Sequence, residues 1–352
     1  MIKKTACLTL LLVFVIMICG CAHGNLPNQS IAPDTLIVSF LDVGQGDSIF
    51  ITYNNQSMLI DTGERDYSKR VIDYIEKQGF SRIDILVGTH PHSDHIGGMA
   101  EIIKTFEIGD ILMPQVQHNT RTFEDTLDAI IKKGLSAKSP VPGDTFMLGA
   151  ATVTVIAPYK IVNNNLNNDS IVLKVSYDGY DFLFMGDAES EEEADILAGE
   201  IDISANVIKI GHHGSYTSTG ENFLEAVSLE IAVIMLGKGN SYGHPHNETL
   251  RKLTSIDAKI YRTDINGIIT VKVCDGVLEI TAEKNAVQQS YVVQPPDEKL
   301  SKAEEQFIGN TNSKKFHNSS CSSLPDEKNR IYFDTRDEAI NHGYEPCKIC
   351  KP

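Results

Sequence analysis

The sequence predicts an α/β protein, an αββα four-layer sandwich, followed by a small metal-stapled unit at the C-terminus. Strand-like and helix-like runs alternate through both halves of residues 35–283, with hairpin-like runs at both ends. Two sheets covered by helices are the economical way to bury such faces. Loops rich in histidine and aspartate follow several of the strands. The last stretch, 307–352, is too short to be stabilised by core burial alone, and carries three cysteines and two histidines.

The N-terminus reads as an address. Lys3 and Lys4 precede an apolar run from Leu8 to Ile18, too short for a comfortable membrane span, which marks 1–21 as a secretory signal. Its end, Ile18-Cys19-Gly20-Cys21, resembles the bacterial lipobox, with Cys21 as the lipidated residue. Residues 22–34 then form a polar tether. The expected location is the outer face of a bacterial membrane, with the membrane itself contacted through the lipid.

Thr35 to Phe40 and Ser48 to Thr52 are β-rich, joined by Asp42-Val43-Gly44-Gln45-Gly46-Asp47, and Met58 to Ile60 is a short strand ending at Asp61-Thr62-Gly63. Ser68 to Lys77 has helical spacing and stops at Gly79. The apolar strand Ile83 to Val87 runs into Thr89-His90-Pro91-His92-Ser93-Asp94-His95. A helix is expected over Ile96 to Phe106, a strand at Ile111 to Met113 and a helix over Arg121 to Lys132. In the second half, Ala151 to Ile156, Ser170 to Val175, Phe182 to Met185, Val207 to Ile210 and Ile231 to Leu236 read as strands. Glu189 to Leu197 reads as an acidic helix, and Glu248 to Leu253 as another. Ile260 to Arg262, Gly267 to Val273 and Val277 to Thr281 complete the domain, with Cys274 expected as a small buried hydrophobe. The polar, proline-bearing stretch 284–306 reads as a linker.

The net charge of −16 argues against holding nucleic acid through a broad basic surface. It leaves room for an enzyme that cuts nucleic acid, because bound metal ions supply positive charge locally. His90, His92, Asp94 and His95 point to such ions. Alternate residues of an extended loop face the same way, so His90 and His92 can face one metal. Asp94 and His95, where the loop turns into a helix, can face a second. Imidazole and carboxylate suit zinc, manganese or iron. A nitrogen and oxygen set without cysteine points to a catalytic rather than a structural site.

This His-x-His-x-Asp-His run resembles the signature of the metallo-β-lactamase fold. The resemblance implies that Asp61 supports the metal loop from behind and that Asp187, in Phe184-Met185-Gly186-Asp187-Ala188, bridges two divalent ions, zinc or manganese. The histidine that normally precedes the bridging aspartate is absent. Asn163 to Asp169 stands in its place, and His118 reads as a loop residue. The missing nitrogen of the first metal is expected from His212 or His213, with His213 taken as the ligand and His212 beside the ligands or substrate. The second metal is expected to be closed by His246, or by His244 in its place.

Four motifs narrow the resemblance: Asp42 to Asp47, Asn168-Asp169-Ser170-Ile171-Val172-Leu173, Gly211-His212-His213-Gly214-Ser215 and Tyr242-Gly243-His244-Pro245-His246. They are similar to the soluble hydrolase domain of the ComEC family of competence DNA-uptake proteins, over about Leu36 to Thr281. The family's channel helices have no counterpart in this sequence, so a free-standing, lipid-tethered version is expected. The resemblance implies a hydrolase that cleaves phosphodiesters, with DNA as the substrate. The catalytic groups are expected to be Asp94 and an imidazole, His212 or the spare one of His244 and His246. It requires no obligate protein partner. Relatives lacking the same histidine include a phosphorylcholine esterase of cell-wall teichoic acid, so esterase action on a small or cell-wall phosphate ester is the alternative. A non-catalytic DNA-binding lipoprotein is the third reading. Ser215 and Thr217 are candidate phosphate donors or plain turn residues; Lys209 is a candidate for steering an anion or, on an edge strand, a solvated side chain.

At the C-terminus, His317 and Cys321, with the Cys-x-x-Cys of Cys347 and Cys350, fit one structural zinc; a Cys347–Cys350 disulfide is the alternative. Thr335 to Glu338 reads as a capping box opening a helix that Gly343 closes. Phe316 to Cys321 and Gly343 to Cys350 resemble the zinc-binding domain of Ada, a DNA alkyl-repair protein that uses four cysteines. His317 stands at one of those positions, which argues against methyl transfer and for a structural zinc module able to touch DNA.

Overall fold

The computed structural model describes residues 34–163, 165–284 and, within 307–351, all but 319–320, 322, 326–328 and 334–335. The expected signal with Cys21, nearly all of the tether and linker, and Thr335 lie outside the described residues. Among the described residues, no helix is long and apolar enough to cross a membrane. The chain divides into two compact units, Met1–Gln289 and Ser290–Pro352.

The first unit opens with a hairpin run, β1 (Leu36–Phe40), β2 (Ile49–Tyr53) and β3 (Gln56–Ile60), followed by β4 (Arg82–Val87), β5 (Glu107–Leu112) and β6 (Ala137–Lys138). A second group follows: β7 (Thr145–Leu148), β8 (Ala151–Ala157), β9 (Val172–Tyr177), β10 (Tyr180–Phe184), β11 (Val207–Lys209), β12 (Ile231–Ile234) and β13 (Lys259–Arg262). The closing hairpin, β14 (Ile269–Cys274) and β15 (Val277–Ala282), returns to the first sheet beside β1. The sheet orders are β15-β14-β1-β2-β3-β4-β5-β6 and β13-β12-β11-β10-β9-β8-β7.

Alternation along the strands divides the apolar residues between layers. Val38, Phe40, Ile51, Val87, Val153, Leu173, Phe184 and Val233 fill the space between the sheets, where the Phe40 and Phe184 rings lie 6.2 Å apart. Phe50, Leu59, Ile83, Leu86 and Ile111 pack on the other side against α1 (Ser68–Lys77), α3 (Met99–Thr105) and α4 (Arg121–Lys132). Leu183, Ile208, Ala232 and Ile234 of the second sheet are equally buried. The helices of that half, α5 (Ser190–Ala198), α6 (Glu221–Val227) and α7 (Asn247–Ser255), bury Ile196, Phe223, Leu224, Val227, Leu250 and Leu253.

Several local readings change. The helix expected over Ile96 to Phe106 is two helices, α2 (Ser93–Ile96) and α3. Gly97 separates them at a point so crowded that a Cβ would lie 2.3 Å from the Ser93 carbonyl oxygen. Lys209 is on an interior strand and is 0% exposed, not a solvated edge residue. Cys274 ends β14 on the half-exposed face shared with Thr270 and Lys272, because Ile269, Val271 and Val273 take the core face. The short β6, β7 and α6 carry too little periodicity to stand out in sequence.

The acidic α5 is not simply a solvated face. Glu193 accepts from the Thr219 and Gly220 amides at the start of α6, and Glu192 accepts from the Tyr159 amide at 3.0 Å. Both side chains are buried.

In the second unit, β16 (Phe307–Asn310), β17 (Lys315–Asn318), β18 (Arg330–Phe333) and β19 (Glu345–Pro346) form a sheet of order β18-β16-β17-β19. Beside α9 (Arg336–Asn341; the short α8, Thr263–Asn266, lies in the first unit), the core is Phe316, Phe333, Ala339 and Tyr344. This core is small for an independent unit.

Burial, reinforced by Asp195 and Asp169 and opposed by the Tyr159 amide, raises the Glu192 carboxyl from 4.5 to about 7. With the folded value above the unfolded one, its contribution to stability is complete below the unfolded value and is lost as pH rises through the folded one. Glu192→Gln should therefore flatten the decline in Tm between about pH 5 and pH 8 expected for the unaltered protein. Parallel declines in thermal melts of the two would contradict this.

Candidate metal centre

The site lies where parallel strands of both sheets end. The β3–β4 pairing sets Ile60 beside Val87, so the residues after them, Asp61 and the Gly88–His95 loop, emerge side by side. The parallel trio β10, β11 and β12 brings the segments carrying Asp187, His212–His213 and His244 to the opposite sheet's end. The loop Asp42–Asp47 closes over the metal loop through the Asp47 amide, which donates to the Asp94 carbonyl at 3.1 Å. Gly46 permits this approach: at φ +122°, a Cβ there would lie 2.1 Å from the Asp94 oxygen.

Asp61 is fully buried and aims the loop. Its carboxylate accepts from the Thr89 amide (2.8 Å), the Thr89 hydroxyl (2.7 Å) and His95 Nδ1 (2.7 Å). The last bond leaves His95 Nε2 facing the centre. His213 is fixed in the same way, because its Nδ1–H donates to the Met235 carbonyl at 2.9 Å.

Asp187 Oδ2 is the hub. It lies 3.2 Å from His95 Nε2, 3.3 Å from His213 Nε2 and 3.9 Å from both His90 Nε2 and His212 Nε2. Asp94, His95, Asp187 and His213 each offer one ligand atom, all within 4.8 Å of one another. His90 Nε2, also near Asp187, lies 3.0 Å from His92 Nδ1.

Two of the expected ligands take particular places. His213 joins Asp94 and His95 instead of completing the His90–His92 group, because its bond to Met235 points the ring that way. His244, not His246, lies against the cluster: its ring is 5.5 Å from His212 and 6.2 Å from His213. His246 is turned aside, its Nδ1 accepting from the Tyr216 amide at 3.1 Å. Within the segment standing in for the missing histidine, residues 166–169 form a turn, and Asp169 accepts from the Val162 and Asn163 amides. His118 lies in the loop before α4 with its ring 6.1 Å from His92.

The donor set fits divalent ions. His95 Nε2, His213 Nε2, His244 Nδ1 and Asp187 Oδ1 are buried without a hydrogen-bond partner. Burial would raise the Asp187 carboxyl, but His213 and His95 hold it well below the usual carboxylate range. Burial opposes charge on His95 and His213 too, yet the surrounding carboxylates, Asp187 foremost, hold both well above the usual imidazole range. The pocket thus demands positive charge among its carboxylates, which bound cations would meet without those protons.

Three residues act in ways their sequence context did not announce. Lys209, on the Val207 face of β11, pairs with Asp47 and donates to the Gly186 carbonyl at 2.7 Å, with Asp187 Oδ1 3.6 Å away. Asp47 in turn lies 3.4 Å from His213 Nδ1. Glu189 accepts from His212 Nδ1 (2.9 Å), Thr217 Oγ1 (2.8 Å) and Asn165 Nδ2 (2.7 Å). Burial would raise this carboxyl, but these bonds bring it down to about 2, so it is ionised at neutral pH. Thr217 and Ser215, which hydrogen-bond each other at 2.9 Å, therefore brace the Glu189–His212 pair. His212 and His213 both take left-handed backbone, φ 44° and 53°, and this turn sends neighbouring rings to different partners.

In the second unit, His317, Cys321, Cys347 and Cys350 also offer ligand atoms within 4.8 Å of one another, and the cysteines are free thiols. His317 Nδ1 lies 3.3 Å from Cys321 Sγ, a donor set suited to a tetrahedral zinc.

Lys209→Met should destabilise the protein by about 3–5 kcal/mol in urea titrations, because it strands the buried Asp47 carboxylate. A loss under about 1 kcal/mol would contradict the pairing. Cys347→Ser in the full chain should remove about one zinc per molecule and expose 307–352 to protease. Retained zinc and protection would contradict a stapling role.

The sequence matches the metallo-beta-lactamase superfamily over residues 41–238 and the metal binding domain of Ada over residues 297–352. It is 31% identical over 250 residues to ComE operon protein 3 of Bacillus subtilis (strain 168), covering 66% of this chain and 32% of that protein. It is 27% identical over 245 residues to competence protein ComA of Neisseria gonorrhoeae, covering 68% and 33%. The chain thus spans about a third of the length of these curated relatives. Among solved structures, the metallo-beta-lactamase fold protein YhfI from Bacillus subtilis aligns with a TM-score of 0.45 at 12% identity, covering 70% of this chain and 100% of that one. With its two-sheet core and its histidine–aspartate centre, the chain belongs to the metallo-beta-lactamase superfamily of metal-dependent hydrolases, with an Ada-like zinc-binding unit at its C-terminus.

Proposed function

We propose that this protein hydrolyses phosphodiester bonds of DNA, using two zinc or manganese ions, outside the cell and tethered through a lipid on Cys21. The observation that carries the chemistry is the arrangement at Asp187 Oδ2, with the nitrogens of His95, His213 and His90 within 4 Å and His212, braced by Glu189, 3.9 Å away. The ComEC-like motifs supply the choice of DNA: they lie in the loops that build this arrangement. The competence relatives, much longer than this chain, are consistent with that choice.

Asp94, His95, Asp187 and His213 would hold one ion, and His90, His92 and Asp187 the other, with His244 beside them. Bound there, the ions supply Lewis acidity and a water made nucleophilic near neutral pH. The chain's own residues do the rest. Asp61 and Met235 fix the His95 and His213 rings. Lys209 neutralises Asp47 next to the bridging carboxylate. His212 donates from Nδ1 to Glu189, so Nε2 faces the cleft and can hold a proton for the leaving oxygen. Glu189 fixes that orientation.

Mature protein with Zn²⁺ or Mn²⁺ should degrade DNA, Asp94→Ala should abolish this, and His212→Ala should lower kcat by about 100-fold or more. Intact DNA at every metal tested, alongside release of phosphorylcholine from a small ester, would instead support the esterase reading.

A further inference from the structure

A contiguous run of aromatic rings leads out of the metal centre. The His212 and His244 rings are 5.5 Å apart, His244 and His246 4.9 Å, and His246 and Tyr216 4.9 Å. Tyr242 lies nearly parallel to His244, 5.7 Å away at 23°. The run ends at the surface, where Tyr242 is 63% exposed and Tyr216 43%.

These rings are held in place. The Asn240 side chain accepts from the Tyr242 and His244 amides (3.1 and 3.0 Å) and donates to the Gly237 and His244 carbonyls (3.1 and 2.7 Å). One amide thus pins the loop that presents Tyr242. The Tyr216 amide pins the His246 ring. Exposed π-faces thus stand on fixed loops, one ring beyond the candidate ligands. They match the flat ring that hangs from a sugar next to a phosphate. The net charge of −16 strengthens the point, since a strand held poorly by backbone charge needs another source of affinity.

We propose that Tyr242 and Tyr216, with His244 and His246, form a stacking subsite for a nucleobase flanking the phosphate at the metal centre. This rests on the phosphodiesterase reading above and narrows its substrate to strands with unpaired bases. Lys238, exposed on the same loop, adds one cation near the strand's backbone.

The test is anisotropy of the zinc-loaded full chain with a short, phosphorothioate-linked thymidine strand and an abasic strand of the same linkage, at fixed salt. The unaltered protein should bind the base-bearing strand at least about fivefold more tightly. Tyr242→Ala and Tyr216→Ala should each lose most of that preference, and Tyr242→Phe should keep it. No preference for bases in the unaltered protein, or a preference that survives both alanine variants, would overturn the subsite. Cleavage of an ordinary phosphodiester strand is followed in parallel. Base-selective binding without cleavage keeps the subsite and removes the nuclease reading; cleavage without base selectivity does the reverse.

Discussion

A buried carboxylate surrounded by imidazoles dictates the rest of this structure. Asp187 has little access to water, and four histidine nitrogens lie within 4 Å of its Oδ2. An anion buried this deeply must find positive charge nearby. Each feature of the site meets that demand: the imidazoles of His95 and His213, the Lys209 ammonium, and a donor arrangement suited to divalent cations. The fold serves the same end, because parallel strand ends from both sheets are the places from which these groups can converge.

Behind the ligands stands a layer of residues that aim them. Asp61 orients His95, the Met235 carbonyl orients His213, and Glu189 orients His212. Asp47 and Lys209 form a buried ion pair between the two sheets' contributions. Such a layer confers precision at a cost in stability: two left-handed histidines and a desolvated lysine–aspartate pair are tolerated because the sandwich over-determines them.

Much of this was legible in the sequence, for definite reasons. The strands buried on both faces are continuous apolar runs, and the metal loop packs its ligands into six residues, so neither needs long-range information. Its partners were harder. Whether His213 sides with Asp94 or with His90, and whether His244 or His246 turns inward, depends on backbone acceptors at Met235 and a donor at Tyr216, which no spacing rule encodes. Lys209 was misjudged because lysine on a short strand is usually solvated; its pairing with Asp47 spans 162 positions of chain, although the Asp at the end of a glycine-rich loop was a hint. Glu189, two places after Asp187, was masked by the acidic helix it precedes. The C-terminal cluster was plain because so few other groups could stabilise so short a unit.

The most direct test of the central claim is elemental analysis of the purified, metal-loaded full chain beside its Asp187→Asn variant. The account predicts about three ions per unaltered molecule, two at the hydrolase centre and one in the C-terminal unit, falling to about one in the variant. About one ion in both, at saturating zinc and manganese alike, would contradict it.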